Sequence, residues 1–205
     1  MRTTQQHAFR VCFGLSYLGS AYQRGGAAEV EQASRPGPET TRQILAGYRP
    51  DAEEFLFEDM SDVARPLLPD AWTLVHVERA GAFLFELLRQ RQKYEQAGVE
   101  PASPRPWPDP DDTGWSGDSL SVYRDEAGKL RLYWRVRFET AAHAENAREY
   151  LDNATWQVEL RERDVIVSAA SPGVDTSQIY DEWGPAPDAT PEPMQDRTAA
   201  IRCMR

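Results

Sequence analysis

Cysteine is scarce in this chain, since only Cys12 and Cys203 occur among 205 residues. Two thiols do not make a disulfide framework of the kind that holds small secreted domains together, so folding requires no oxidising compartment. Long apolar runs are also missing, because no stretch approaches the roughly 20 apolar residues that span a bilayer. The N-terminus has no apolar core of signal-peptide length. These absences predict a cytoplasmic protein without a membrane span.

Positive charge is in deficit as well. The formal net charge is −10 and the pI is near 4.9. A general nucleic-acid binder needs clustered cations that displace the counterions of phosphate groups. The composition therefore predicts no nucleic-acid partner.

Recognisable catalytic motifs are absent. The three histidines, His7, His76 and His143, lie in different predicted elements, and the sequence has no HExxH helix. It has no G-x-S-x-G elbow or phosphate-binding glycine loop, and Cys12 lies in an apolar helical run where a thiol is inert. We therefore assign no catalytic residue, no metal ligand and no cofactor. Whether distant histidines and carboxylates converge in the fold, and whether the protein is an enzyme, stays open at this point.

Helical periodicity marks the N-terminal part of the chain. Residues 6–24 carry a broad apolar stripe that ends at Gly25-Gly26, and a short helical piece over 27–33 follows. Thr40-Thr41 can cap another short helix through Leu45. The pattern predicts an N-terminal amphipathic helix with one buried face.

A second amphipathic helix is predicted in the middle of the chain, from Ala80 to about Ala97. Its apolar residues recur at helical spacing against a charged face that includes Glu86 and Arg89. We expect this helix to pack on a sheet.

The sheet is predicted around a hairpin that opens at Gly114. Apolar and polar residues alternate through Leu120 and Val122 and again from Leu130 to Phe138, which is typical of strands with one buried face. Thr140 can cap a helix after the hairpin. Further strands are predicted over 55–57, 72–78, 156–161 and 165–169. The order predicts an α+β fold with an antiparallel sheet, packed with the N-terminal and central helices.

Composition divides the chain into one domain and a tail. Residues 1–170 are predicted to form a single α+β domain, interrupted at 98–113 by a loop with five prolines. Residues 171–205 are acidic and proline-rich, so we expect a largely disordered tail. Its only plausible anchor is Ile179, Tyr180 and Trp183.

One face of the hairpin is a candidate binding surface for a protein or peptide partner. Arginine and tyrosine are favoured at contact sites, and this face carries Tyr123, Arg131, Tyr133, Arg135 and Arg137. The alternative is a solvated strand face whose arginines pair with the abundant carboxylates.

The pentapeptide Gly114-Trp115-Ser116-Gly117-Asp118 is predicted to be structural. Trp115 would anchor the entrance of the hairpin in the core. Gly114 and Gly117 would permit a tight or positive-φ backbone, and Asp118 would accept backbone amides in an Asx-type turn.

Four segments, taken in their order along the chain, resemble the C-terminal half of a prokaryotic family of zinc metallopeptidase-like proteins, whose members are often exported. The family has Gly-Gly-Trp where this chain has Gly25-Gly26-Ala27. It has Gly-Trp-Gly-Gly-Asp where this chain has Gly-Trp-Ser-Gly-Asp at 114–118. The remaining segments are Pro38–Leu45, in which Arg42 replaces the family's usual glutamate and the following His-Pro is missing, and Trp134–Ala144.

The resemblance implies an accessory role rather than a catalytic one. In that family the HExxH helix lies N-terminal to everything matched here, so no catalytic residue is carried over. It implies a non-catalytic binding or assembly module, with export as an alternative localisation. Two further hypotheses stay open: a subunit or remnant of a zinc metallopeptidase whose catalytic half is on another chain, and a protein that captures partners through its acidic tail.

Overall fold

The computed structural model describes residues 14–35, 37–38, 40–47, 58, 60, 65–98, 113–152, 156–175 and 183–184. Four α-helices and seven strands lie in these ranges. The helices are α1 (Gly14–Ser34), α2 (Thr41–Ala46), α3 (Gly81–Ala97) and α4 (Ala141–Leu151). The strands are β1 (Arg65–Pro66), β2 (Trp72–Glu78), β3 (Trp115–Asp125), β4 (Leu130–Phe138), β5 (Gln157–Arg161), β6 (Asp164–Ala170) and β7 (Trp183–Gly184).

Five of the strands form one antiparallel sheet in the order β2-β3-β4-β6-β5. The hairpin of β3 and β4 occupies the middle, and α4 connects β4 to the second hairpin of β5 and β6. The two remaining strands, β1 and β7, pair with each other as a separate ribbon. The predicted α+β fold with an antiparallel sheet is confirmed.

The helix caps and the glycine break predicted from the sequence are present in the structure. The Thr40 hydroxyl accepts from the Gln43 amide, and the Gln43 side chain accepts from the Thr40 amide, forming a capping box at α2. The Thr140 hydroxyl accepts from the His143 amide and caps α4. Helix α1 is kinked where Gly25 and Gly26 leave helical geometry, so the predicted glycine break is confirmed.

The main core lies between one face of the sheet and helices α3 and α4. Phe85 of α3 meets Phe138 of β4 edge to face, with ring centroids 5.4 Å apart. Burial of each large apolar side chain of this kind stabilises the fold by roughly 1.5–3 kcal/mol. The largest apolar side chains of this core cluster that are fully buried are Trp115, Trp134, Phe85, Phe138, Leu132 and Leu151.

Two expectations about the central elements are wrong in detail. The pentapeptide that begins at Gly114 is not a turn, because β3 already starts at Trp115, with a register shift between Trp115 and Gly117. The charged face of α3 is not wholly solvated either. Glu86 and Arg89 are buried and joined by two hydrogen bonds at 2.8 and 2.9 Å. A buried ion pair one turn apart has the sequence spacing of an exposed one, so the pattern could not distinguish them.

Several predicted segments fall outside the described residues: the strand at 55–57, the loop between 99 and 112, and the tail apart from 171–175 and 183–184. Among the helices that are described, none combines the length and apolarity needed to cross a bilayer.

Candidate functional site

The five candidate residues come together on the sheet face opposite the main core, which we call the arginine face. Strand β4 presents Arg131, Tyr133, Arg135 and Arg137 at alternate positions, because side chains of a strand alternate between its two faces. Tyr123 of β3 is the register partner of Arg131. The sequence had predicted this grouping, and the structure has it.

The arginine face is more buried than the sequence indicated. Tyr123 and Tyr133 expose only 4% and 2% of their surface, and their rings meet edge to face at 6.1 Å. The Tyr123 hydroxyl donates to the carbonyl of Pro66 at 2.7 Å, and burial raises the pKa of Tyr123 to about 12. The expectation of a hairpin with one buried face is therefore wrong. The covering residues lie far away in sequence, and alternation within the hairpin carries no information about them.

Two of the arginines are held by one buried carboxylate. Arg135 and Arg137 both donate to Asp164 of β6, with Arg135 Nε to Oδ2 and Arg137 Nε to Oδ1 each at 2.7 Å. Burial of Asp164 favours its protonated form, but the hydrogen bonds and charges of the two arginines outweigh this and lower its pKa. Arg135 and Arg137 are thus paired, as the alternative interpretation of this face had it.

A second carboxylate extends the network. Glu58 accepts from Arg137 at 2.9 Å and from Arg163 at 2.5 and 3.0 Å. Burial works against ionisation of Glu58, yet the bonds from Arg137 and Arg163 lower its pKa. The Glu58 amide donates to the carbonyl of Ser116 at 3.0 Å, which fixes this residue against β3. Three arginines, Arg135, Arg137 and Arg163, therefore share two carboxylates.

The other end of the face is organised around Arg131. Its guanidinium lies over the ring of Trp72, 4.6 Å from the centroid, and donates to the carbonyl of Asp175 at 2.8 Å. Arg65 of β1 lies near Tyr123. Its positive charge acts to lower the pKa of Tyr123, against the larger effect of burial. Arg65 forms no ion pair with any residue in the described ranges, and its buried Nε has no hydrogen-bond partner there. Two cations, Arg131 and Arg65, therefore lie at this end of the face.

The tail returns to the same face. Strand β7 pairs antiparallel with β1, with Pro66 opposite Trp183 and Arg65 opposite Gly184. The Trp183 ring lies under the guanidinium of Arg135, 5.2 Å from centroid to carbon. Of the tail anchor predicted from the sequence, Trp183 is in place, and Ile179 and Tyr180 lie outside the described residues.

The pentapeptide serves the opposite face. Trp115 is 1% exposed, as expected of an anchor. Asp118 does accept backbone amides, from Ala80 at 2.8 Å and Gly81 at 2.9 Å, but these belong to the start of α3 and not to a local Asx turn. Burial raises the pKa of Asp118. The two backbone hydrogen bonds and a third one from the Trp134 side chain act in the other direction but do not outweigh burial. The expected local turn is wrong because a bulged strand projects Asp118 into the core.

The two glycines of the pentapeptide allow close approaches. Gly114 has φ +59°, and a β-carbon there would overlap the imidazole of His143. At Gly117 a β-carbon would overlap the backbone carbonyl of Glu58. The structural roles predicted for Gly114 and Gly117 thus have a physical basis, one in backbone conformation and both in space.

The sequence did not single out two residues that organise these faces. Asp164 holds Arg135 and Arg137, and Arg42 donates to the carbonyl of Trp115 at 2.8 Å and to Glu139 at 2.5 Å. Asp164 and Val165 are neighbours in β6, so their side chains point to opposite faces of the sheet. This alternation could have placed Asp164 on the face away from the core. The pairing of β6 with β4 was needed to recognise its partners, and that register is not written in either strand.

Metal chemistry has no support among the described residues. His76 contacts Glu78 at 3.1 Å, and His143 lies beside Gly114 with a buried Nδ1 that has no described partner. No group of three or more histidine, cysteine, aspartate or glutamate side chains converges within the ranges given above. His7, Cys12 and Cys203 lie outside those ranges.

Comparison with known proteins adds no family. Models of protein families, curated protein sequences and solved structures were compared with the chain, and none of them matches it.

Proposed function

We propose that the chain is a non-catalytic binding module that takes an extended peptide segment of a protein partner on the arginine face. The observation that carries this proposal is the position of β7. A short extended segment, distant in sequence, already lies on this face with its backbone along β1 and its indole against Arg135. A face that holds one extended segment has the geometry to hold another.

The chemistry of the face supports the same function. Arginine beside aromatic rings is the composition of binding hot spots, because both offer large contact areas and directed interactions. Arg135 and Arg137 are fixed by Asp164, and Tyr123 is fixed by Pro66. A surface whose side chains are already ordered loses little conformational entropy on binding, which favours affinity.

A selection of extended peptides against the immobilised full chain tests this function. Peptides that bind the wild type are titrated against Arg131→Glu, which reverses a charge on the face, and against Arg148→Glu as a matched control. Arg148 is half exposed on α4 and pairs with Glu145 there. We expect Arg131→Glu to weaken binding by at least about tenfold, since rim and core charges set affinity and specificity. Equal binding by both variants, with unchanged thermal stability, would reject the arginine face as the site.

As a second proposal, we infer from the resemblance to metallopeptidase-like proteins that this module acts beside a catalytic partner. It is supported by the pentapeptide at 114–118 and the three other matched segments, all of which belong to the family's accessory half. Metal analysis of the purified chain tests the non-catalytic role. We expect a zinc content at the level of contamination, below roughly one zinc per ten chains. One bound zinc per chain, or peptidase activity of the chain alone, would contradict it. Peptidase activity that appears only with a separate HExxH protein would support the subunit hypothesis.

A further inference from the structure

We propose that the tail is a built-in competitor of the partner: Trp183 occupies, in the same chain, the position that a partner's aromatic residue takes when it binds. The partner segment is then an extended peptide with acidic residues directly before an aromatic one, as in the tail's own sequence Asp181-Glu182-Trp183. This inference rests on the proposed function, because it identifies the partner and the regulation of the same face.

The first reason is the unequal attachment of the two strands of the ribbon. Strand β1 is fixed to the sheet through Pro66, whose carbonyl accepts from the buried Tyr123 hydroxyl at 2.7 Å. Strand β7 faces β1 over only two residue pairs, and the residue opposite Trp183 is a proline, which has no amide hydrogen to donate. β1 is therefore joined to the sheet by a buried side-chain hydrogen bond, whereas the ladder that pairs β7 with β1 spans two residue pairs. A short ladder of this kind is replaceable by a longer one.

The second reason is charge. Among the described residues, Arg135, Arg137 and Arg163 pair with two carboxylates, Asp164 and Glu58, and the buried Nε of Arg65 has no hydrogen-bond partner. This cationic face belongs to a chain whose net charge is −10. Electrostatic complementarity selects an acidic partner for such a face. The tail meets that requirement, since Asp181 and Glu182 precede Trp183 in the sequence.

The third reason is the short connection. Asp175, whose carbonyl accepts from Arg131, is separated from Trp183 by residues 176–182. A short tether gives its end an effective concentration on the order of 1 mM at the site. If the tail itself has an intrinsic Kd of roughly 100 μM for the face, it is bound about ten times in eleven, and a partner peptide must compete with it. The tail would weaken the apparent affinity by about tenfold, and a partner overcomes it with a longer or more acidic contact.

The test uses the full chain and a labelled synthetic peptide that spans residues 176–188 of the same sequence. Binding is measured by fluorescence anisotropy to the wild type, to Trp183→Ala, and to Tyr22→Ala. Tyr22 is an exposed aromatic residue of α1 and serves as the matched control. We expect Trp183→Ala to bind the peptide at least about fivefold more tightly than the wild type or Tyr22→Ala, because the competing ring is gone. A peptide with alanine at the tryptophan, or with Asp181 and Glu182 replaced by their amides, should bind at least about fivefold more weakly.

The outcomes separate this inference from the function on which it rests. Equal affinity of Trp183→Ala and wild type for the tail peptide would overturn the competitor. If peptides from the selection still bind the arginine face, the proposed function survives that result. If neither protein binds the tail peptide or any selected peptide, both fail. Equal binding of the acidic and the amidated peptide would overturn the acidic partner class. A Trp183→Ala variant whose thermal unfolding has the same midpoint temperature as the wild type is folded, which validates the comparison.

Discussion

Asp118 of β3 accepts a hydrogen bond at 2.8 Å from the indole nitrogen of Trp134 on β4. The same carboxylate accepts the amides of Ala80 and Gly81, so one side chain joins the central hairpin to the beginning of α3. A carboxylate at the positive end of a helix is favoured by the helix dipole as well as by the bonds themselves. Asp118 thereby sets the position of α3 on the sheet.

Replacement of Asp118 by asparagine should destabilise the protein by about 2–4 kcal/mol. Both carboxylate oxygens accept N–H groups, and the amide of asparagine would turn one of them into a donor that faces donors. Asp152→Asn is the matched control, because it removes the same charge from an exposed position at the end of α4. Urea unfolding measures the free energy of unfolding of each variant. A loss no larger for Asp118→Asn than for Asp152→Asn would contradict the role of Asp118.

Gly114→Ala should cost more stability than Gly128→Ala, although both glycines have positive φ, +59° and +80°. Both substitutions strain the backbone by roughly 1 kcal/mol or more. A β-carbon at Gly114 would in addition overlap His143, whereas Gly128 has open space around it. We expect an excess cost of about 1–3 kcal/mol at Gly114.

The overlap at Gly114 can be relieved independently. In a His143→Ala background the excess cost of Gly114→Ala should shrink by at least half, since the two nearest ring atoms are gone while the β-carbon of residue 143, at 2.8 Å, and the backbone strain remain. A double-mutant cycle of thermal or denaturant unfolding measures this coupling. Full additivity of the two substitutions would show that His143 is not the obstacle.

Acid should weaken the fold through Asp164. Its pKa is lowered in the folded protein, so its contribution is present above the ordinary value of 3.8 and is lost as the pH falls through the folded pKa. Asp164→Asn should cost roughly 3 kcal/mol near neutral pH, because Arg135 and Arg137 lose their shared partner. The difference between wild type and variant should narrow below about pH 4. Glu145→Gln, which alters an exposed pair on α4, should show no comparable pH dependence. A constant difference for Asp164→Asn from neutral to acid pH would contradict the ion network.

Local signals in the sequence were sufficient for most elements of the fold. Thr40 and Thr140 cap helices because their hydroxyls find an amide within the same turn, and Gly25-Gly26 interrupts α1 for reasons of backbone freedom. The alternation of β4 placed Arg131, Tyr133, Arg135 and Arg137 on one face. Each of these inferences involves residues within a few positions of one another, which is the range over which periodicity and capping act.

The partners of those residues were beyond the reach of local patterns. Asp118 meets Gly81, and Arg137 meets Asp164 and Glu58, across sequence separations of 37, 27 and 79 residues. Burial of Tyr123 likewise depends on Pro66, which comes from a segment with no signal of its own as a strand. Alternation states which residues share a face, but not what covers that face.

The central claim is that the arginine face binds an acidic, aromatic peptide. Arginine Nε–H resonances of the full-length chain test it most directly when the peptide of residues 176–188 is added to Trp183→Ala. We predict shifts of the Arg131 and Arg135 resonances, which saturate with the peptide, and no shift of Arg148 on α4. Saturable peptide binding that leaves Arg131 and Arg135 unshifted would contradict the account.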